Sequence, residues 1–295
     1  MYTICSNPEC LQKYRIKEDM VGSKGRCKLC NTIFEIKEHI IEPKTIDLNY
    51  DENEEVQEDE DTEEQSEDGT KKRRSPKEVM ERKIKRIKQE TKLLLPKFNQ
   101  AVDKNINESD TRLLINKILQ NVLGYSIDEI KTEQCIQGRK ADYVISIKNK
   151  DRFVIEAKKI GIALRERQVF QATSYGAFSG TMWAVLTNGI IWQLYRITTN
   201  EKVESHLVFN IDLRDGLDDQ EAHCFYLISK HGILRKNLLE RLWKKVSTLC
   251  NDNIITAILT EDVIKKIGKE LKKQTGYKVN QEELRDAIEG NVLRL

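Results

Sequence analysis

The sequence predicts a protein of the α/β (α+β) class, in which a mixed sheet is flanked by helices. Alternating apolar residues in 141–159 predict a β-hairpin, because every second side chain of a strand faces the same side. Helical periodicity at 107–126 and at 168–177 predicts helices that cover the sheet. Four cysteines within the first 30 residues indicate a small separate module, and helical patterns in 218–295 predict a helical C-terminal region.

Composition and charge restrict the classes of protein to be considered. At 295 residues, with 39% hydrophobic and 33% charged residues, the chain can form one large domain or two smaller ones beneath a highly charged surface. It has no apolar run long enough to span a membrane and no signal-peptide pattern at its N-terminus, so we expect a cytoplasmic protein. The net charge of +2 combines two opposed blocks: residues 51–68 hold twelve acids and no base, and residues 71–97 hold twelve basic residues and three glutamates.

These blocks divide the chain into regions. An acidic block of this kind cannot form a core, so residues 42–75 are expected to be an acidic disordered linker. It separates a module at 1–41 from a domain at 76–215, and a helical region follows at 216–295. The domain begins with a basic helix, whose charged face is either solvated or in contact with nucleic-acid phosphates. The apolar positions that predict this helix are Val79, Met80, Ile84, Ile87 and Leu94. In the C-terminal region, Thr260 and Asn280 are predicted N-caps of helices, and Gly276 is a predicted helix C-terminus.

Four N-terminal cysteines have the spacing of a zinc site. Cys5 and Cys10 enclose four residues, Cys27 and Cys30 enclose two, and sixteen residues separate the pairs. Two close pairs of thiolates can complete a tetrahedron around Zn²⁺, and the metal would stabilise a module too small to fold by its own core. The alternative is four ordinary reduced thiols.

The segment GRCKLCNTIFEI, with YRI upstream, makes residues 1–38 similar to the small zinc-ribbon family found at the N-termini of many bacterial proteins. The resemblance implies a structural Zn²⁺. It departs at the first cysteine pair, where the family usually has two intervening residues and this chain has four. Basic and acidic residues are mixed in the module, so contact with DNA and contact with a protein partner both stay open.

The predicted hairpin carries charge on one face. The charged residues are Asp142 on the first strand and Glu156 and Lys158 on the second. They share one face only if the residue numbers of each cross-strand pair add up to an even number. This register requires a three- or five-residue turn or a bulge, whereas a two-residue turn would place Asp142 opposite Ala157. The apolar positions have the same parity. We therefore expect Asp142 and Glu156 to meet across the ladder, where two carboxylates favour a shared Mg²⁺, and Lys158 to point at the same place.

Motifs on both sides extend this pattern. In the upstream helix, Glu108 lies on the same face as an apolar stripe, with Asp110 as the alternative acid. In the downstream helix, Gln171 and Tyr175 lie four residues apart and therefore on one face. The segment TMWAVLTNGIIWQLYRI then predicts two strands around a TNG turn. The apolar stripe consists of Ile115, Ile118, Leu119 and Val122.

Four motifs follow one another along the chain: an NExxxR helix, a D…ExK hairpin, a QxxxY helix and the TNG hairpin. This order resembles the PD-(D/E)xK nuclease superfamily. Within it, residues 100–200 are similar to the N-terminal nuclease domain of type I restriction enzyme R subunits. The resemblance implies a restriction-endonuclease-like fold and Mg²⁺-dependent cleavage of DNA. It further implies that Asp142 and Glu156 bind Mg²⁺ and that Lys158 is the catalytic lysine. Glu108 would be the helical acid, and Gln171 and Tyr175 would belong to a motif associated with DNA handling.

The chain departs from R subunits, which continue into an ATP-driven translocase, because it contains no GxxxxGK[ST] motif. Targeting of cleavage is then expected from the protein itself, from its zinc ribbon, or from defence-system partner proteins that could also supply an ATPase. The C-terminal region is expected to cover the sheet, form a homodimer or dock a partner. We therefore expect a DNA endonuclease of bacterial defence or restriction. The alternative is a non-catalytic adaptor that binds nucleic acid or a partner protein and keeps the nuclease fold.

Overall fold

The computed structural model describes residues 2–6, 13–15, 20–27, 31–36, 63–65, 71–73, 75–136, 138–199, 202–235 and 237–293. Two compact units are distinguished, Met1–Leu239 and Glu240–Leu295. The first contains a six-stranded mixed sheet with helices and the second is helical, which confirms the predicted α/β (α+β) class and the helical C-terminal region. None of the helices in the described ranges combines the length and the apolar character needed to cross a membrane.

The N-terminal residues form two short antiparallel ribbons. In the first, β1 (Tyr2–Ile4) pairs with β2 (Lys13–Arg15), and in the second, β3 (Lys24–Arg26) pairs with β4 (Ile33–Glu35). Buried side chains from both form one small cluster, against which Tyr14 packs. The members of this cluster are Cys5, Cys27, Phe34 and Ile36.

Most of the predicted acidic linker at 42–75 lies outside the described residues. Where the structure describes it, the backbone of β5 (Glu63–Gln65) pairs antiparallel with that of β6 (Lys71–Arg73). This pairing connects the end of the acidic block with the start of the basic block.

Two capped helices precede the sheet. The first, α1 (Pro76–Asp103), begins after Ser75, whose hydroxyl accepts the N–H of Glu78 while the Glu78 carboxylate accepts the N–H of Ser75. This reciprocal pair satisfies two N–H groups that a helix start leaves open. The second, α2 (Glu108–Lys117), begins after Asn107 and runs into a π-helical turn at Ile118–Val122. The predicted stripes are buried, except that Ile84 of α1 is half-buried.

Six strands form the central sheet, and strands that follow one another in the chain are also neighbours in the sheet. They are β7 (Ile130–Ile136), β8 (Arg139–Ile147), β9 (Lys150–Ala157), β10 (Trp183–Thr187), β11 (Ile191–Thr199) and β12 (Val203–Asp212). All neighbouring pairs are antiparallel except β9 and β10. This parallel pair is connected by α3 (Glu166–Ser179), as a parallel pair requires a crossover.

The hairpin of β8 and β9 combines a two-residue turn with a bulge. Lys148 and Asn149 both have positive φ angles, of 53° and 60°, which suits a turn that follows the twist of the strands. The register shifts by one residue at the bulge, so that Tyr143 pairs with Ile155. The predicted even-sum register is therefore confirmed, and the bulge produces it.

Helix α3 packs closely on the sheet. At Gly176 a Cβ would lie 2.3 Å from Cδ1 of Ile197 and 3.0 Å from the carbonyl oxygen of Thr181, so a side chain would push the helix away. The apolar cluster at this contact includes Tyr175 and Ala172 from the helix. Its strand residues are Ala141, Val144, Val154, Ala184 and Ile197.

Two helices after the sheet belong to the larger unit. They are α4 (Asp219–Leu227) and α5 (Lys230–Leu234). The ring of Phe225 on α4 meets that of Trp192 edge-on, at 5.3 Å between centroids, and α4 also contacts α1. The larger compact unit consequently reaches Leu239, beyond residue 215, where the sequence suggested the boundary.

The remaining helices are α6 (Leu238–Thr248), α7 (Asn251–Ile258), α8 (Glu261–Thr275) and α9 (Gln281–Ala287), followed by a π-helical turn at Ile288–Leu293. Thr260 and Asn280 precede α8 and α9, and Gly276 ends α8 with a φ of 75°, as predicted. The smaller unit has its own apolar core around Ile264, Leu284 and Ile288.

Candidate active site

Asp142 and Glu156 lie on adjacent strands. Because Tyr143 pairs with Ile155, continuing that register by one residue places Asp142 opposite Glu156. Both are largely removed from solvent, since the Asp142 side chain is 12% exposed and Glu156 is 3% exposed. The N–H of Ala157 donates to Oδ2 of Asp142 at 2.8 Å, which fixes this carboxylate against β9.

The pKa of the Glu156 carboxyl is raised to about 7. Burial is the largest cause, because it disfavours the charged form. The hydrogen bond from Lys158 lowers this pKa, whereas the negative charges of Asp142 and Glu108 raise it. In the metal-free protein near neutral pH, Glu156 is therefore close to the midpoint of its titration, and an added cation would favour its ionised form.

Lys158 follows directly after β9 and points back to Glu156. Its backbone N–H donates to the carbonyl of Thr187 at 2.8 Å, which extends the pairing of β9 with β10 and fixes the backbone of this residue. Its Nζ lies 2.5 Å from Oε1 of Glu156 and 3.5 Å from Oε1 of Gln171. The side chain is 16% exposed, so its amine faces a mostly protein-lined space.

Arg112 on α2 also belongs to the site, although the sequence pattern predicted no role for it. Its Nη2 bonds to Oδ1 of Asp142 and lies 3.5 Å from Oε1 of Glu108. Its Nη1 lies 3.5 Å from Oε1 of Glu133 on β7. One signal was available in the sequence, namely the spacing of four residues between Glu108 and Arg112, which puts both on one helical face.

The structure distinguishes the two acids considered for α2. Glu108 contacts Arg112, and its charge contributes to the raised pKa of Glu156. Asp110 is exposed, and its backbone N–H donates to Oδ1 of the cap residue Asn107 at 2.8 Å. Glu108 is thus the acid of α2 that the structure brings to the hairpin carboxylates, with 44% of its side chain exposed.

Gln171 and Tyr175 occupy different surroundings on α3. Gln171 is exposed, and its amide oxygen approaches the amine of Lys158. Tyr175 is 2% exposed and packs in the apolar cluster between α3 and the sheet, where burial raises its pKa. Of the two, only Gln171 approaches Lys158, the residue that donates to Glu156.

The predicted zinc ligands are only partly described. Cys5 and Cys27 are buried in the same small cluster, and the hydroxyl of Tyr14 lies 3.0 Å from Sγ of Cys27. Cys10 and Cys30 lie outside the described residues. Among the residues that the structure describes, no group of three or more His, Cys, Asp or Glu side chains is arranged to hold a metal ion.

The side chains at the hairpin combine complementary charges. Two carboxylates from adjacent strands offer hard oxygen ligands, which suit a cation such as Mg²⁺. An amine, a guanidinium and an exposed amide lie next to them and can hold an anion. This combination is suited to binding a divalent cation together with a phosphate group.

Residues 107–209 match the family model described as type I restriction enzyme R protein N terminus. The matched segment begins at the cap of α2 and ends within β12, so it contains every residue of the hairpin site. The similarity to this family that the sequence motifs indicated is therefore confirmed. No curated protein and no solved structure matches the chain.

Proposed function

We propose that this chain, whose central segment is similar to the N terminus of type I restriction enzyme R proteins, is a Mg²⁺-dependent endonuclease that hydrolyses phosphodiester bonds of DNA in a restriction or defence system. One observation carries the proposal: Asp142 on β8 faces Glu156 on β9, and Lys158, directly after β9, donates to Glu156. The family match covers the same residues and supports a nuclease-related role.

The donor set fits Mg²⁺. This ion is bound in proteins by one or two carboxylates and keeps several of its waters, and Asp142 and Glu156 supply two carboxylates. Burial raises the pKa of Glu156, and a bound cation would favour its ionised form. When bound, Mg²⁺ would polarise the phosphate and make its own water a better nucleophile.

The residues of the chain have separate tasks in this proposal. Asp142 is held by the Ala157 N–H, so that its carboxylate keeps a fixed direction. Lys158 donates to Glu156 in the free protein and would donate to a nonbridging phosphate oxygen or to the attacking water when DNA is present. The amide oxygen of Gln171 lies 3.5 Å from the amine of Lys158 and would help to orient it toward the carboxylates.

We further propose that Cys5, Cys10, Cys27 and Cys30 bind one structural Zn²⁺. The burial of Cys5 and Cys27 in one cluster supports this, because thiolates that share an ion must approach each other. The module would then serve as a contact for DNA or for a partner protein.

A non-catalytic adaptor is the second candidate, and one observation favours it. Both oxygens of Asp142 already accept hydrogen bonds, one from Arg112 and one from the Ala157 N–H. A site satisfied in this way could preserve the fold without binding a metal ion. In that case the surface would bind nucleic acid or a protein without cleaving it.

Incubation of the full chain with supercoiled plasmid and Mg²⁺ separates the two functions. We expect nicked or linear DNA with the wild-type protein, alone or with the products of neighbouring genes, and none in EDTA. Asp142→Asn is the matched control, since it keeps the shape of the side chain and removes its charge. Cleavage that persists in the Asp142→Asn variant would contradict this site, and binding without cleavage under every condition would favour the adaptor.

A further inference from the structure

Arg112 bonds directly to Asp142, one of the two proposed metal ligands. Its guanidinium contacts three carboxylates on three elements: Glu108 on α2, Glu133 on β7 and Asp142 on β8. Its side chain is 31% exposed, so much of this charge is shielded from solvent. The position of Arg112 is thus defined by the acidic groups around it.

One of these contacts uses an oxygen that the proposed metal site needs. Oδ2 of Asp142 accepts the Ala157 N–H, and Oδ1 accepts Nη2 of Arg112. An Mg²⁺ ion bound to either oxygen at the usual bond length of about 2.0–2.1 Å would stand within a few ångströms of the guanidinium. Like charges at that distance repel strongly in a partly buried site.

We propose that Arg112 is a positioning residue that acts as the built-in counter-ion of the metal-free site and competes with the divalent cation for Asp142. In the absence of metal it neutralises Asp142 and Glu108 and keeps the carboxylates in place. On metal binding, repulsion drives its guanidinium away from Oδ1 of Asp142, and it then lies beside the metal site, where a phosphate of the bound DNA would carry the opposite charge. This inference rests on the proposed function, because it requires that the site bind a divalent cation.

The three contacts of Arg112 differ in closeness. Only its contact with Asp142 is a close hydrogen bond, and its contacts with Glu108 and Glu133 are at 3.5 Å. Its Nε is buried and has no hydrogen-bond partner among the residues that the structure describes. The contact with Asp142 is therefore the one that metal binding would change most directly, while the two longer contacts can persist.

Titration calorimetry of the full-length protein with Mg²⁺ and with Mn²⁺, in the absence of DNA, tests the inference. Arg112→Met removes the charge and keeps an unbranched side chain, and we expect it to bind the ions about tenfold more tightly than the wild type, because the repulsion is gone. Arg112→Lys keeps a positive charge and should bind them nearly as the wild type does. Lys131→Met is the matched control for loss of one positive charge, since Lys131 pairs with Asp151 away from the site, and its affinity should equal that of the wild type.

Thermal melting separates this role from a structural one. Without metal, Arg112→Met should melt lower than the wild type because Asp142 loses its counter-ion, and added Mg²⁺ should raise the melting temperature more for this variant than for the wild type. Metal affinity that is unchanged or weaker in Arg112→Met, while the wild type binds the ions, would overturn the inference and leave the proposed function standing. Absence of Mg²⁺ and Mn²⁺ binding in the wild type would instead refute the proposed function, and the inference with it.

Discussion

The amine of Lys158 lies 2.5 Å from Oε1 of Glu156, yet the pKa of that carboxyl is raised to about 7. The ion pair therefore does not offset the loss of water that burial imposes on Glu156. Asp142, which lies across the ladder, adds a negative charge to the same environment. Burial and a second carboxylate together therefore favour the neutral form of Glu156.

The raised pKa of Glu156 should make the stability of the protein, measured without added metal, depend on pH. The pKa of Glu156 rises from 4.5 in the unfolded chain to about 7 in the folded protein. Between these values the folded state keeps a proton that the unfolded state has released, so the free energy of unfolding falls as pH rises and levels off above the folded pKa. The expected loss is about 3 kcal/mol.

Urea denaturation in EDTA at pH 5 and at pH 8 measures this loss. Glu156→Gln, which cannot ionise, should show a smaller difference between the two pH values and should be at least as stable as the wild type at pH 8. Asp142→Asn should be less stable at both, because it weakens the bonds from Arg112 and Ala157. Equal pH dependence in the wild type and in Glu156→Gln would show that Glu156 titrates normally.

Replacement of Lys158 should separate catalysis from metal binding. The amine contacts Glu156 and Gln171 but is itself no metal ligand, so Lys158→Ala should lose cleavage by roughly a thousandfold while Mg²⁺ affinity is kept or increased. Plasmid cleavage and calorimetry on the same preparation measure the two effects. Lys159→Ala, one residue further, is the control and should cleave like the wild type. Loss of Mg²⁺ binding in Lys158→Ala would contradict this assignment.

The basic face of α1 should contribute to DNA binding through interactions with phosphates. Neutralising four exposed lysines of this helix should weaken binding and flatten the dependence of log K on log salt by roughly 0.9 for each phosphate that is no longer neutralised. The four are Lys77, Lys85, Lys92 and Lys97. A control variant that neutralises four exposed lysines of the smaller unit, Lys266, Lys269, Lys272 and Lys278, keeps the net charge equal. If the dependence of log K on log salt is the same for both variants and the wild type, the basic face of α1 does not contact phosphates and is exposed to solvent.

The N-terminal cysteines should bind one zinc ion per chain. Metal analysis of protein purified without chelators should give a ratio near one, and blocking the thiols after denaturation should release the ion. Cys27→Ser should lose the zinc, because Cys27 is buried with Cys5 in the cluster of the two ribbons. Cys250→Ser, at an exposed cysteine of the smaller unit, should retain it. A wild-type protein without zinc would contradict the proposed site and favour four ordinary reduced thiols.

The register of the hairpin could be predicted from the sequence, because parity alone decides which residues share a face. The apolar residues Tyr143 and Ile155 and the charged residues Asp142 and Glu156 give the same parity, and the structure has that register. The position of the bulge could not be predicted. A two-residue turn with a bulge and a three-residue turn give the same parity, and local sequence at the turn does not separate them.

The role of Arg112 could not be predicted for a different reason. Its main partner, Asp142, lies thirty residues away in the chain, and that contact depends on how α2 packs against the sheet. The periodicity of α2 predicts its buried stripe, but a residue at the border of the stripe can face solvent or a neighbouring strand. The same limit applies to Tyr175, whose helical spacing from Gln171 does not indicate that it is buried while Gln171 is exposed.

Asp142 and Glu156 should act as one unit in cleavage. Asp142 and Glu156 are the two proposed ligands of the ion, so loss of either should weaken its binding nearly as much as loss of both. Asp142→Asn and Glu156→Gln should each reduce the cleavage rate by at least about a thousandfold, and the double variant should be little worse than either single variant. Glu133→Gln also removes a carboxylate that contacts Arg112, but outside the proposed ligand pair, and it should retain most of the cleavage. Rates at one fixed Mg²⁺ concentration near the wild-type dissociation constant, measured for all four variants, test this. Multiplicative losses in the double variant would mean that the two carboxylates act independently and do not share an ion.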